Sequence, residues 1–159
     1  MLVAVWSLSA VSAAHAQTTV RFTTVVGTID VELFDQETPI TVANFLGIVN
    51  RGEYDNTFFH RSAVDNLGGP FAVQGGGFQA TFPSPLRVPT VDPITNEPGI
   101  SNLRGTIAMA KGSDPDSATT QWFFNMTDNS FLDSVNNGAF TAFGRVLGNG
   151  MSVVDAIAA

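Results

Sequence analysis

The sequence is organised around Gly105-Thr-Ile-Ala-Met-Ala-Lys111, which is followed ten residues later by Gln121-Trp-Phe-Phe-Asn125. Each run is apolar and of strand length, and residues 112–120 between them are polar, which predicts two adjacent strands joined by a loop. Small side chains in the first run, Ala108 and Ala110, beside the aromatic side chains of the second predict a groove with an aromatic wall. Simple strand pairing explains the same pattern equally well.

Length and composition limit the kinds of protein that this chain can be. The 159 residues suffice for one domain with a sizeable core and are too few for two. A net charge of -7 and a single lysine argue against a nucleic-acid partner, which would need a basic face. The lack of cysteine excludes a disulfide scaffold, a thiol nucleophile and a cysteine-ligated metal.

Residues 1–16 differ in composition from the rest of the chain. Leu2 to Ala13 is apolar and uncharged, and Ala14-His15-Ala16 before Gln17 has the A-x-A pattern of an export-signal cleavage site. The sequence therefore predicts a signal peptide over 1–16 and a periplasmic or secreted domain over 17–159. No Lys or Arg precedes the apolar run, which would fit a start internal to a longer signal. A buried N-terminal strand or helix is the alternative. The run is too short to span a bilayer as a helix.

The next segment, 19–33, alternates between apolar and polar residues on both sides of Gly27, which predicts two strands joined by a glycine turn. The same alternation places Asp30 and Glu32 on the solvent face, so a solvated edge is favoured over a metal site. Asp114-Pro-Asp116 resembles the start of a calcium loop but lacks the glycine and the final glutamate of that pattern.

Two helices are predicted. Thr38 and Pro39 have the N-cap and first-turn preferences of a helix start, and residues 50–52 (Asn-Arg-Gly) end the helix. Its predicted core stripe is Val42, Phe45, Leu46 and Val49. A second, shorter helix is predicted over Met151–Ala158, whereas 62–70 and 80–100 are predicted to be loops.

Few residues can carry chemistry. The sequence has no serine-hydrolase elbow, zinc motif or dinucleotide fingerprint. His60 is the one candidate general base outside the predicted signal peptide, although a lone histidine on a strand is more often a core residue. Arg61 beside an apolar cleft could hold a peptide carbonyl or donate to an amide nitrogen, and a surface ion pair is the alternative.

Several ordered motifs resemble the cyclophilin family of peptidyl-prolyl isomerases over nearly all of Thr19 to Ala158. They are Phe58-Phe-His-Arg61, Gln74-Gly-Gly, Gly105-Thr-Ile-Ala-Met-Ala, Gln121-Trp-Phe-Phe, Phe131-Leu-Asp133 and Phe143-Gly-Arg-Val146. Asn96-Glu97 before Arg104 is similar to the compact prokaryotic branch. The resemblance implies a mainly β fold, a closed eight-stranded antiparallel barrel capped by two helices. It also implies a last strand beyond Ala159, so we expect the natural gene to continue.

The resemblance further implies which residues form the site. Arg61 would be catalytic, and the substrate-binding residues would be Phe71, Ala72, Gln74, Ala110, Lys111, Gln121, Phe123, Phe131, Leu132 and Phe140. The sequence departs from the family pattern in four places. Nine residues rather than four separate Arg61 from Phe71, Ala72 stands for a methionine, Phe131 for a tryptophan and Phe140 for a histidine. The spacing predicts a longer loop beside the pocket and Ala72 predicts a wider pocket, so affinity and inhibitor sensitivity are expected to differ from those typical of the family.

The implied activity is peptidyl-prolyl cis-trans isomerisation of proline-containing polypeptides, by a monomer and without a cofactor or metal. Rotation about an X-Pro bond needs neither a nucleophile nor a base, only a dry pocket for the proline and a donor that favours the twisted amide. A non-catalytic proline-peptide-binding or chaperone module on the same fold is the rival hypothesis. A structural or carbohydrate-binding β domain fits the composition but leaves Arg61, Gln74 and Gln121 unexplained.

Overall fold

The computed structural model describes residues 17–159. Strands, helices and two short 3-10 helices follow one another along the chain in this order: β1 (Thr19–Thr24), β2 (Gly27–Leu33), α1 (Pro39–Asn50), β3 (Arg61–Val64), β4 (Pro70–Gly75), β5 (Phe78–Gln79), β6 (Leu86–Arg87), β7 (Thr106–Met109), β8 (Trp122–Asn125), the 3-10 helices Ser130–Asp133 and Val135–Asn137, β9 (Ala142–Val146) and α2 (Gly150–Ala158).

Seven strands form one antiparallel sheet in the order β1-β2-β9-β7-β8-β4-β3, and β5 pairs with β6 in a separate ribbon. The predicted mainly β fold with two helices is confirmed. The strand count and closure differ from the predicted closed eight-stranded barrel. Closure requires two partners for every strand, and within residues 17–159 β1 and β3 each pair on one side only.

Strand alternation divides the side chains of the sheet between a core and an outer face. Val73, Ile107 and Phe124 point inward and are fully buried, together with Phe45 of α1 and Val154 of α2. Their neighbours along the strands point outward, where Ala72, Ala108, Phe123, Leu132 and Ala142 form a second, smaller apolar cluster. One sheet therefore serves two purposes, since its inner face stabilises the fold and its outer face carries a second apolar surface.

Helix α1 has the predicted bounds, but its start and its buried stripe differ from the prediction. Thr38 occupies the cap position without capping, because its hydroxyl donates to the Phe34 carbonyl. The Glu97 carboxylate instead accepts from the backbone N–H groups of Ile40 (3.1 Å) and Thr41 (2.8 Å). A carboxylate there satisfies donors that a helix start leaves unpaired and interacts favourably with the helix dipole.

The buried stripe of α1 departs from the prediction at its C-terminal end. Ile48 is fully buried, whereas Val49 retains 37 % of its exposure. Val42 and Phe45 are buried as predicted, and Leu46 is partly buried.

The two strands predicted over 19–33 from alternating apolar and polar residues are confirmed as β1 and β2. Asp30 and Glu32 form ion pairs with Arg21 and Arg145, respectively.

Two loop predictions are wrong in part. The strand predicted at 58–61 begins at Arg61 and continues to Val64, so four of the nine residues of the predicted loop 62–70 belong to β3 and β4. The stretch 80–100 contains β6, which pairs with β5. The sequence does not indicate the extent of β3 or the presence of β6. Strand β3 is largely exposed and β6 is two residues long, so neither has an apolar periodicity that predicts a strand.

Helix α2, Gly150–Ala158, agrees with the second predicted helix. The predicted signal peptide over 1–16 lies outside the described residues. Within 17–159, neither helix has the length and apolar character required to cross a bilayer.

Candidate active site

A cleft of about 230 Å³ lies on the outer face of the sheet, over β3, β4, β8 and the end of β7. Nine of the predicted site residues line it, namely Arg61, Phe71, Ala72, Gln74, Ala110, Lys111, Phe123, Leu132 and Phe140. Ala63 also lines the cleft and was missed, because an alanine on an exposed strand has no distinguishing sequence pattern.

Strand register explains how residues distant in sequence meet in the cleft. Arg61 pairs with Gln74, Gln74 with Phe123, and Phe123 with Ala108. Directly paired residues of antiparallel strands project on the same face. The four side chains therefore form one row across the sheet, with the guanidinium at one side and the aromatic ring near the centre.

A chain of polar contacts runs along the Arg61 side of the cleft. The Arg61 Nη1 donates to Gln74 Oε1 at 3.3 Å, and Gln74 Nε2 donates to Gln121 Oε1 at 2.7 Å. Gln121 does not line the cleft itself and acts on it by orienting the amide of Gln74. Since a guanidinium has five N–H donors and this bond uses one, Arg61 can hold Gln74 and a ligand together.

The apolar part of the cleft is aromatic on two sides. The rings of Phe123 and Phe140 meet edge to face with centroids 6.0 Å apart. Phe71 stacks on Phe131 at 5.8 Å, and Phe131 itself is 56 % exposed and lies outside the cleft lining. Ala72 contributes only a methyl group to the lining, so it leaves more space in the cleft than a longer side chain would.

The opposite side of the cleft carries Lys111, whose ammonium Nζ lies 4.3 Å from the centroid of the Phe140 ring. This is the distance range of a cation–π interaction. The neighbouring Ala110 cannot hold a peptide through its N–H, because that group donates to the Gln121 carbonyl at 2.9 Å. Ala110 therefore joins β7 to the strand that follows and presents its methyl group to the cleft.

A buried polar network lies behind the cleft, which sequence analysis missed. Asn125 Nδ2 donates to Asn102 Oδ1 (3.2 Å) and Thr106 Oγ1 (2.8 Å), and Asn129 Nδ2 donates to Asn125 Oδ1 (2.8 Å). The three asparagines are at most 1 % exposed. Fully satisfied networks of this kind rigidify their surroundings.

The network reaches the cleft through main-chain carbonyls. Asn129 Nδ2 donates to the Phe71 carbonyl and Asn102 Nδ2 to the Phe140 carbonyl, both at 3.0 Å. Two aromatic walls of the cleft are therefore anchored to the same set of buried amides. The sequence signal that could have located the network is an asparagine within an apolar strand, Asn125 after Phe124.

Asp133 extends this network. Its carboxylate accepts from Ser101 Oγ at 2.5 Å and from the backbone and side-chain nitrogens of Asn102, both at 2.9 Å. Burial by itself would raise the pKa of Asp133, but these hydrogen bonds to the charged form outweigh it and lower the pKa. The ionised carboxylate holds the 3-10 turn that positions Leu132.

His60, the candidate general base, is not among the residues lining the cleft. Its ring packs edge to face on Phe78 at 5.0 Å, and its buried Nδ1 makes no hydrogen bond within the described residues. Burial lowers the pKa of His60 and outweighs the hydrogen bonds that would raise it. His60 therefore packs outside the cleft lining, and burial favours its neutral form.

The tight turn after β4 supports this region. Gly76 has a φ of 74°, and a Cβ there would lie 2.6 Å from Trp122 Nε1 and 2.7 Å from the Thr120 carbonyl oxygen. Position 76 therefore requires glycine, both because of its positive φ and because a Cβ has no space there.

Among residues 17–159, no three histidine or carboxylate side chains are grouped so that they could hold a metal ion.

Comparison with known proteins identifies relatives of this architecture. Residues 19–159 match the family described as cyclophilin type peptidyl-prolyl cis-trans isomerase/CLD. The chain is 44% identical over 162 residues to peptidyl-prolyl cis-trans isomerase A of Dickeya dadantii (strain 3937), covering 98% of this chain and 80% of the relative. It is 43% identical over 144 residues to peptidyl-prolyl cis-trans isomerase B of Escherichia coli (strain K12), covering 87% and 82%.

A solved structure shares the fold. The cyclophilin type peptidyl-prolyl cis-trans isomerase of Cryptosporidium parvum, determined in the presence of the dipeptide Ala-Pro, superposes with a TM-score of 0.68. It is 24% identical, and the similarity covers 89% of this chain and 85% of that one.

Proposed function

This chain belongs to the cyclophilin-type peptidyl-prolyl cis-trans isomerase family and is an enzyme of that class, and we propose that the outer-face cleft is where it accelerates X-Pro rotation. The observation that carries the proposal is the position of Arg61, a guanidinium at the side of a proline-sized apolar cleft and in one row with Gln74 and Phe123.

The reaction has physical requirements that this cleft can meet. Rotation about the peptide bond is opposed by about 18–20 kcal/mol, because twisting the amide removes its conjugation. The twisted nitrogen becomes pyramidal and basic, so a donor placed beside it stabilises the transition state more than the planar ground state. No proton transfer, covalent intermediate or bound metal is needed for this chemistry.

Each group has a separate role in the proposal. Phe71, Phe123 and Leu132 hold the proline ring by apolar contact, and Ala72 leaves room for it. Gln74, oriented by Gln121, anchors the flanking peptide, and Arg61 donates to the twisted amide. Phe131 supports Phe71 from outside the cleft.

A non-catalytic peptide-binding module would use the same cleft without accelerating rotation. A short X-Pro peptide whose cis form resists a helper protease distinguishes the two. The slow phase of cleavage is the cis-to-trans exchange of the peptide. An enzyme raises the rate of this phase in proportion to the enzyme concentration, whereas a binding module changes only the amplitude of the phase. An unchanged slow-phase rate at micromolar protein would refute the catalytic proposal. Arg87→Ala, a change to an arginine outside the cleft, is the control and should keep the wild-type rate.

We also propose that residues 1–16 are an export signal and that the mature chain starts at Gln17 in the periplasm or outside the cell. The support is the Ala14-His15-Ala16 pattern at the end of an uncharged apolar run. Intact mass spectrometry on protein from its native host tests this, and a cytoplasmic species retaining Met1 would contradict it. Sedimentation of the same preparation tests the separate prediction that the protein is a monomer.

A further inference from the structure

Two aromatic walls of the cleft come from strands that are not neighbours. Phe71 lies on β4 and Phe140 lies two residues before β9, and in the sheet β8 and β7 separate those two strands. Both rings are only partly buried, and they pack on the smaller apolar cluster of the outer face rather than in the main core. Core packing alone therefore does not fix the spacing between the two walls.

Three buried side-chain amides connect the walls in series. The Phe71 carbonyl accepts from Asn129 Nδ2 at 3.0 Å, and the same nitrogen donates to Asn125 Oδ1 at 2.8 Å. Asn125 Nδ2 donates to Asn102 Oδ1 at 3.2 Å, and Asn102 Nδ2 donates to the Phe140 carbonyl at 3.0 Å. We call the series Asn129-Asn125-Asn102 the amide relay, because it runs without a break from one wall to the other.

The amide relay uses every hydrogen-bond donor of its three side chains. Each side-chain nitrogen has two N–H groups, and each makes two hydrogen bonds. The two acceptors outside the series and the walls are Thr106 Oγ1 at 2.8 Å and Asp133 Oδ1 at 2.9 Å. Removing one amide leaves its buried neighbours unsatisfied, so the members of the relay depend on one another.

Backbone hydrogen bonds hold the course of the chain at each wall independently of the relay. The Phe71 carbonyl also accepts from the Met126 N–H at 3.0 Å, and the Phe140 N–H donates to the Leu132 carbonyl at 2.9 Å. These bonds remain when a relay amide is removed. Loss of the relay should therefore alter the placement of the two rings rather than the fold.

We propose that the amide relay is a positioning unit, which fixes the separation of the Phe71 and Phe140 walls and thereby sets the affinity of the cleft for the proline ring. The assignment rests on the proposed catalytic use of the cleft. The walls grip the ring in the planar and the twisted state alike, so the relay contributes to binding in both states. Its loss should raise KM, whereas loss of the Arg61 donor should lower kcat.

Asn125 provides the sharpest test, because within residues 17–159 its side chain bonds to other network members and to neither wall. Cis-trans exchange of a short X-Pro peptide, followed by NMR at increasing peptide concentration, gives kcat and KM. Asn125→Leu and Asn129→Leu should each raise KM about three- to tenfold, the effect of one lost neutral hydrogen bond, with kcat within about twofold of the wild type. The double variant should match the worse single variant, whereas independent anchors would multiply their effects.

A control separates positioning from loss of stability. Val154→Ala truncates a fully buried side chain of α2 in the main core, away from the cleft, and destabilises the protein without touching the relay. A destabilised enzyme has fewer folded molecules, which lowers the apparent kcat and leaves KM unchanged. Val154→Ala should therefore keep the wild-type KM. Carbonyl NMR shifts give a second readout: Asn129→Leu should shift the Phe140 carbonyl resonance, although Asn129 bonds to the Phe71 carbonyl instead.

Three outcomes would overturn the proposal: a wild-type KM in Asn125→Leu, KM effects that multiply in the double variant, or an equal rise of KM in Val154→Ala. If a relay variant at position 125 fails to fold, an unmoved Phe140 carbonyl resonance in Asn129→Leu overturns the proposal by itself. Each of these results leaves the catalytic proposal intact if the wild type accelerates exchange. Failure of the wild type to accelerate exchange in any X-Pro peptide would instead refute the catalytic use of the cleft.

Discussion

Arg61 and Gln74 are direct cross-strand partners, and their side chains are joined by a hydrogen bond from Nη1 to Oε1 at 3.3 Å. The pairing ties the guanidinium to the apolar floor of the cleft, because Gln74 is also paired with Phe123. Neither residue fills the core, since both side chains project from the outer face of the sheet. A substitution at Arg61 is therefore expected to change catalysis without changing the stability of the fold.

Arg61→Ala should lower kcat/KM by about 10²–10³-fold, the loss typical of removing one transition-state donor. The thermal midpoint should stay within a degree or two of the wild type, because the side chain is exposed. Arg61→Lys should recover little activity, since a compact ammonium cannot reproduce the planar fork of donors. Equal turnover by wild type and Arg61→Ala, with matching thermal midpoints, would show that Arg61 is only a surface residue.

Asn125→Leu should destabilise the protein by about 2–4 kcal/mol, because it leaves buried partners on Asn102, Thr106 and Asn129 unsatisfied at nearly constant volume. Urea unfolding followed by fluorescence measures the change. Asn136→Leu, at an exposed asparagine, is the matched control and should alter stability by less than about 0.5 kcal/mol. Comparable losses in both variants would mean that the buried network contributes nothing specific.

Gly76→Ala should destabilise the protein more than Gly68→Ala, although both glycines have positive φ, 74° and 82°. Each alanine incurs the left-handed backbone strain of about 1–2 kcal/mol. Only at position 76 does the new Cβ collide with Trp122 and the Thr120 carbonyl, adding about 1–3 kcal/mol, whereas nothing lies within 4 Å at position 68. The two midpoints of chemical unfolding provide the comparison, and an equal loss at both sites would contradict the steric argument.

The free energy of unfolding should decrease as the pH falls from about 7 to 5, and His60→Phe should remove part of that decrease. Burial lowers the pKa of His60 in the folded state, so below the unfolded pKa of about 6.5 the unfolded chain binds a proton that the native protein resists. Stability associated with this residue is thus present above pH 6.5 and lost below it. Phenylalanine keeps the ring contact with Phe78 and cannot titrate.

The same variant tests for a general base. Because the proposed mechanism transfers no proton, His60→Phe should retain the wild-type kcat/KM, and that value should vary little between pH 6 and 8. A large loss of activity at an unchanged thermal midpoint would restore His60 as a catalytic candidate.

Local pattern alone predicted the elements with a strong periodic signal. The alternation of 19–33, the runs around Ile107 and Phe124, and both helices follow from burial on one face, which the order of residues records directly. The ordered motifs also named nine of the residues that line the cleft, whereas Phe131 and Gln121 lie beside it, and the binding role of all of them stays a prediction.

Tertiary structure decided the features that depend on partners remote in sequence. Glu97 caps α1 although it lies 56 residues beyond Thr41 in the chain. The buried asparagines meet through strand pairing, and β1 and β3 are the edges of the sheet because each has a partner strand on one side only. Such contacts depend on distances across the fold rather than along the chain. The sequence by itself determined the alternation and the chemistry of the side chains, whereas the register between strands decided which of them share the cleft, because pairing alone places Arg61, Gln74 and Phe123 in one row.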